Sequence, residues 1–406
     1  MNQIPRDLAV LGGAPWFDRP VAVGRPITGD RQRFMGRVHE ILDRGQLSNN
    51  GPVVQEFEQR VAEALGVRHC ISTCNATTGL QLALHAVGAT GEVIVPSLTF
   101  VATAHAASWL GLRPVFCDVD PVTRTIDPDL VEALITPRTT AILGVHLWGR
   151  PCAVDRLAKI AHNHGVALLF DAAHAFGCTA DGRAVGGFGQ AEVFSFHATK
   201  VVNSFEGGAV VTNDEEFART VRSMRNFGMD EERQVRSLGL NAKMSEVGAA
   251  MGLTSLEAFP RTIEVNMRNF LAYQEELSGI PQITLLDFQP GESHNYGYVV
   301  IEVTPDEDGI TRDVLFQALR AENVISQRYF SPGVHTMPPY AAPAHRLPIT
   351  DRVASRVLAL PTGPDTTRQE INAISMLIRL ACGNGRAVSR RLQHARSTLP
   401  SPTGAQ

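Results

Sequence analysis

Lys200 stands just past an apolar run, "AEVFSF", with Ser195 and His197 on its approach and "EGG" at 206–208 beyond it. An ammonium at the mouth of a core strand is costly unless it is paired, hydrated or converted into something else. Asp171 poses the same problem, because it follows four apolar residues in "ALLFD" and needs a cationic or donor partner there. A third stretch, "CNATTGLQLALHAVG", runs from an apolar strand directly into an amphipathic helix. The free N–H groups of Ala76 and Thr77, the helix dipole and two hydroxyls suit a phosphate. Each feature alone has an ordinary explanation: Asn75 as a helix N-cap, Asp171 as a turn-capping carboxylate, Lys200 as a loop lysine. Together they fit one ligand. A phosphate wants the helix N-terminus, a ring nitrogen that must stay protonated wants a buried carboxylate, and an aldehyde wants an amine. Pyridoxal 5'-phosphate carries all three groups. Burial lowers a lysine pKa and frees the amine as nucleophile and proton shuttle, so Lys200 is expected to be carried as an imine.

These residues must sit on a sheet. Between 69 and 212 the runs "HCIST", "EVIVP", "PVFCDV", "AILGVHL", "ALLFDA", "AEVFSF" and "GAVVT" are short and mostly apolar throughout, as strands covered on both faces should be. Helical patterns separate the earlier ones, including "DRLAKIAHNHG" with its Gly165 stop. The alternation predicts an α/β fold with a mostly parallel, seven-stranded sheet whose ligand lies beyond the strands' carboxyl ends. The last two runs lack a crossover helix between them, which predicts one antiparallel strand. Helical patterns follow through "MSEVGAAMGLTSLEAF" and from about 262 to 277, and strands "YVVIEVT" and "VISQR" with two helices suggest a smaller C-terminal α/β domain. The expected division is an N-terminal arm at 1–30, a large domain at 31–260, a small domain at 261–383, and a disordered tail at 384–406.

Composition excludes several classes. The 406 residues are 44% hydrophobic and 19% charged, with a net charge of −4, which gives no basic field for nucleic acid. No apolar run reaches membrane-spanning length and the N-terminus does not read as a signal peptide. Six scattered cysteines without a CxxC pair point to reduced thiols and a cytoplasmic location. No metal site is expected: His162 and His164 are spaced i, i+2 on a helix and face different ways.

Seven stretches in order, "LSNNGPVVQEFE", "NATTGLQLAL", "PSLTFVATAHA", "DAAHAFG", "FSFHATK", "EGGAVVT" and "NAKMSEVGAAMG", resemble the DegT/DnrJ/StrS family of sugar aminotransferases across about residues 25–383. The stretches "GVHLWGRPC", "NAKMSEVGAAMGLTSLEAFP" and "YFSPGVH" resemble the 4-aminotransferases of deoxysugar biosynthesis, of the desosamine type. The resemblance implies an aspartate aminotransferase-like fold (fold type I). It implies Lys200 as the Schiff-base lysine and Asp171 as partner of the pyridine nitrogen. Ser195, Asn75, Ala76 and Thr77 would lie at the phosphate, Phe100 on the cofactor ring and His174 near the ring hydroxyl. Asn241 would reach the phosphate of a neighbouring subunit, which implies a homodimer with shared sites. His335 and Tyr340 would lie near the nucleotide sugar. The implied reaction moves an amino group from glutamate, through pyridoxamine 5'-phosphate, to C4 of a TDP-linked 4-keto-6-deoxy sugar. The alternatives are amination at C3 of a 3-keto sugar, a pyridoxamine-dependent dehydratase (against which Lys200 speaks), and a non-catalytic cofactor-binding regulator.

Overall fold

The computed structural model describes residues 7–342 and 346–397. Seven strands form the large sheet: β1 His69–Thr73, β2 Glu92–Pro96, β3 Arg113–Cys117, β4 Thr139–Val145, β5 Ala167–Asp171, β6 Ala191–Ser195 and β7 Gly208–Thr212. Their spatial order is β1-β7-β6-β5-β4-β2-β3. β7 is antiparallel to both neighbours and every other pairing is parallel. Residues 196–207 contain no helix, so the chain cannot cross over and returns antiparallel.

Helices cover both faces. On one side lie α1 Arg31–Arg44, α2 Pro52–Leu65, α6 Val154–His164 and the first half of α8 Glu246–Leu277; on the other lie α3 Ala76–Ala86, α4 Ala102–Trp109 and α7 Glu215–Arg225. The short α5 Pro128–Leu134 lies beside β3 and α6. Successive strand residues point to opposite cores: Phe170 and Phe194 join the first, Leu169 and Val193 the second. That double coverage is why the strands read as continuous apolar runs.

α8 is one helix of 32 residues, about 48 Å at 1.5 Å per residue. The expected division at 260/261 therefore falls inside it. Pro260 removes one N–H but leaves the helix continuous. Ala249 and Leu253 pack in the large core, whereas Phe270, Tyr273 and Leu277 pack in a second one. At its start the fully buried Glu246 accepts the N–H groups of Val53 and Val54 at 3.0 and 3.1 Å, capping α2. A Cβ at Gly252 would stand 2.6 Å from the Phe57 ring, so glycine allows α2 and α8 to approach closely.

The second core surrounds an antiparallel sheet of β8 Ile283–Leu285, β9 Val299–Val303 and β10 Val357–Leu360. The helices of this part of the chain are α9 Arg312–Ala321, α10 Pro348–Arg356 and α11 Arg368–Gly383. "VISQR" supplies only Val324–Ile325, which pair in parallel with Val21–Ala22 from the N-terminal segment. The expected disordered tail is corrected in part: Gly385–Ser397 form helix α12, in which Val388 and Leu392, four residues apart, pack on this core. The rest of that tail, 398–406, lies outside the described residues. Among the described residues no helix is long and apolar enough to cross a membrane. All six cysteines are free thiols.

Candidate active site

The carboxyl ends of β1, β2, β5 and β6 open onto a cavity of about 300 Å³ lined by Asn75, Ala76, Thr77, Phe100, Asp171, His174, Ser195 and Lys200. The Lys200 loop is closed by its own N–H donating to the His197 carbonyl at 2.9 Å, and Nζ donates to the Tyr298 hydroxyl at 2.9 Å. Burial pulls the Lys200 ammonium down from the ordinary 10.5 to about 8, against the opposing pull of Asp171 and Tyr329.

Asp171 ends β5 and is buried. Thr103 Oγ1 donates to Oδ2 at 2.9 Å, and the Ala173 N–H donates to Oδ1 at 3.1 Å. Burial pushes its carboxyl up; those two donors and Lys200 pull it back down. Thr99 Oγ1 lies 2.8 Å from Thr103 Oγ1. Since the Thr103 proton is directed at the carboxylate, Thr99 donates to Thr103, and the two hydroxyls form a chain that favours the ionised acid. Thr103→Val keeps the shape and removes the donor. It is expected to lower turnover about 10-fold, the size of one lost hydrogen bond to a charged group. Steady-state kinetics checks this; an unchanged rate would mean the chain does not act on Asp171.

His174 is buried, and its Nδ1 accepts the Trp148 N–H at 3.2 Å, which places the ring proton on Nε2. Burial, then the nearby Lys200, hold its pKa well below the usual value, so it is a neutral donor. Its ring stacks on Phe330 at 5.8 Å and tilts against Tyr298 at 4.5 Å.

At the start of α3 the Asn75 Oδ1 accepts the Thr78 N–H at 2.8 Å. Its side chain is thus the helix cap, the ordinary explanation, and its part in the site is to fix the helix start. The N–H groups of Ala76 and Thr77 lie in the first turn, where no intrahelical acceptor exists. A Cβ at Gly208 would stand 2.6 Å from the Ala76 nitrogen, so the glycine that begins β7 keeps this cradle open. The donor set fits pyridoxal phosphate at each of its ends: open N–H groups and Ser195 for phosphate, a buried carboxylate for the ring nitrogen, and an amine for the aldehyde.

Phe100 lines the same cavity, half-exposed, with its ring 5.9 Å from Phe330. Three expected residues do not line it. Asn241 is exposed on a strand-like bridge to Asn226. His335 is buried against Ser97, with Nδ1 2.7 Å from its Oγ and Nε2 3.4 Å from Asp351. Tyr340 is turned away to His105 and Ser108 on α4. Sequence reasoning missed Thr99, Thr103, Tyr298, Tyr329 and Phe330. Thr99 and Thr103 lay within "PSLTFVATAHA" and Tyr329 and Phe330 within "YFSPGVH", but no residue type there pointed to the cavity. Tyr298 carried no local signal, and it packs with Tyr329 and Phe330 in a separate apolar cluster around Trp148 and Val300.

Comparison with known proteins places the chain among sugar aminotransferases. The signature of the DegT/DnrJ/EryC1/StrS aminotransferase family matches residues 29–379. The chain is 36% identical over 370 residues to the dTDP-4-amino-4,6-dideoxy-D-glucose transaminase of Escherichia coli, covering 89% of this chain and 98% of that one. It is 35% identical to the GDP-perosamine synthase of Caulobacter vibrioides, covering 83% and 92%. The crystal structure of DesI in the presence of its TDP-sugar product is 52% identical, with a TM-score of 0.92 and coverage of 95% and 99%.

Proposed function

The chain belongs to the DegT/DnrJ/EryC1/StrS aminotransferase family, and from that premise we propose that it moves an amino group from glutamate to C4 of a TDP-linked 4-keto-6-deoxy sugar, giving a 4-amino-4,6-dideoxy sugar. The family's enzymes are pyridoxal phosphate-dependent aminotransferases that act on nucleotide sugars. The observation that carries the reading is the convergence of the Lys200 amine, the buried Asp171 carboxylate and the open α3 N-terminus on one cavity.

Bound there, pyridoxal phosphate supplies an electron sink that makes a proton on the adjoining carbon removable. The chain does the rest. Ala76 and Thr77 N–H groups and Ser195 Oγ hold the phosphate, and Asp171 keeps the ring nitrogen protonated. His174 offers its Nε2–H to the ring hydroxyl. Lys200 Nζ, as a neutral amine, would take the proton from the donor α-carbon; the amino nitrogen would stay with the cofactor and water would supply the keto oxygen of 2-oxoglutarate. With the sugar it returns a proton to C4. Phe100, Tyr329 and Phe330 wall the cavity with aromatic surface and limit water.

The working unit is a homodimer. Leu47, Phe205, Phe227 and Leu238 are exposed apolar side chains that a second copy would cover, and the reach of Asn241 to the neighbour's phosphate follows from the family resemblance. Free thiols throughout suit a reducing, cytoplasmic compartment. Incubation with glutamate and TDP-4-keto-6-deoxyglucose, followed by proton NMR of the product, tests the regiochemistry. A 4-amino sugar is expected; amination of a 3-keto isomer alone would contradict the assignment.

A further inference from the structure

Tyr298 brings an oxygen to the site from the second sheet. It immediately precedes β9, whose five residues are all buried, so its backbone is fixed by that core rather than by the Lys200 loop. Its ring packs at 4.5 Å on His174 and 6.4 Å from Tyr329, and its hydroxyl is 2.9 Å from Lys200 Nζ. Burial, reinforced by Asp171, pushes the phenol well above its usual range, so it is a neutral hydroxyl at working pH. A neutral hydroxyl can both accept and donate.

We propose that Tyr298 is a further catalytic residue: Oη accepts a hydrogen bond from Lys200 when Nζ is an ammonium and donates one when Nζ is a neutral amine, holding the reacting nitrogen in place across proton transfer. No proton leaves Tyr298. When Nζ gains a proton, the hydroxyl hydrogen rotates away and an ammonium N–H turns to the oxygen lone pair. This rests on the reading of Lys200 as proton carrier. The other groups facing Nζ are Asp171, Tyr329 and the neutral His174, with His197 and Glu206 lining the same cavity. Asp171 and Tyr329 favour the ammonium through charge alone, and neither has a hydrogen bond to Nζ among those of the described residues.

Tyr298→Phe keeps the ring and removes the oxygen. In cofactor-free protein, labelling of Lys200 by trinitrobenzenesulfonate across pH, quantified by mass spectrometry, should have its midpoint near 8 in the parent. In the variant the midpoint should fall by about one unit, the effect of losing a hydrogen bond to a charged group. The loaded variant should lose about 10-fold in kcat with little change in KM for glutamate. An unchanged midpoint together with an unchanged kcat would overturn the proposal. Should the phenylalanine variant fail to fold, 3,5-difluorotyrosine at 298 retains the packing but weakens the acceptor; a lowered midpoint supports the role and an unmoved one contradicts it. Turnover retained by Lys200→Ala would sink the proton-carrier reading separately, whatever the Tyr298 midpoint does.

Discussion

Replacing Lys200 by alanine is expected to abolish turnover without unfolding the protein. In the proposed reaction the amine has two tasks: nucleophile toward the aldehyde and carrier of the migrating proton. The other bases at the cavity are engaged: His174 Nδ1 by a backbone N–H, Asp171 by Thr103 and Ala173, and His197 by Thr199 and Glu206. Burial prepares Lys200 for both tasks. Lowering its pKa from 10.5 to about 8 raises the fraction present as free amine at pH 7 by about 300-fold. The sign follows directly: protonation disables the nucleophile, so the cofactor-free amine gains reactivity as pH rises through 8. The stability cost of the substitution is small. Removing a desolvated cation offsets the hydroxyl left unpaired on Tyr298, so the thermal midpoint should move by only about 2–4 °C. Calorimetry and a coupled glutamate assay on the same sample check both halves; full activity in this variant would end the reading.

Asp171→Ala should lose turnover by at least about 10²-fold while the protein still binds the cofactor, the range seen when a preorganised electrostatic partner is removed. The phosphate cradle on α3 is a separate element, and nothing in its geometry depends on the Asp171 side chain. What is lost is the charge that keeps a ring nitrogen protonated, so the defect lies in rate rather than in occupancy. Alanine also strands the Ala173 N–H and leaves the Thr103 hydroxyl only Thr99 as a partner, which adds about 1–3 kcal/mol of unsatisfied polar burial. Asp171→Asn separates the two effects, because it keeps an acceptor oxygen and the volume but no charge. It should fold as well as the parent and be nearly as slow as alanine. An asparagine variant with parental activity would show that packing, not charge, is what the position supplies.

The site was legible where one short stretch carried its own physical contradiction. Lys200 beside "AEVFSF" and Asp171 after "ALLF" are polar groups at positions that the surrounding pattern reserves for apolar ones, and such an expense needs a ligand to explain it. The sheet was legible for a related reason, since strands covered on both faces leave an unbroken apolar record, and the missing crossover at 196–207 marked β7 as antiparallel. Tyr298 and Phe330 were not legible. Tyr298 meets Lys200 across 98 residues of chain and Phe330 lies farther along still, and neither violates its local pattern. His335 and Tyr340, carried over from a resemblance alone, hydrogen-bond Ser97 and His105 and do not line the Lys200 cavity. α8 and α12 failed for opposite reasons. One continuous helix was read as two patterns in the first, and a basic composition concealed the Val388–Leu392 spacing in the second.

The most direct measurement is borohydride reduction of the purified, cofactor-loaded protein, followed by digestion and mass spectrometry. The yellow colour should bleach, and the reduced cofactor should be found on the peptide carrying Lys200 and on no other lysine. A protein that binds the cofactor yet yields no adduct at that position, or yields one elsewhere, would contradict the account at its root.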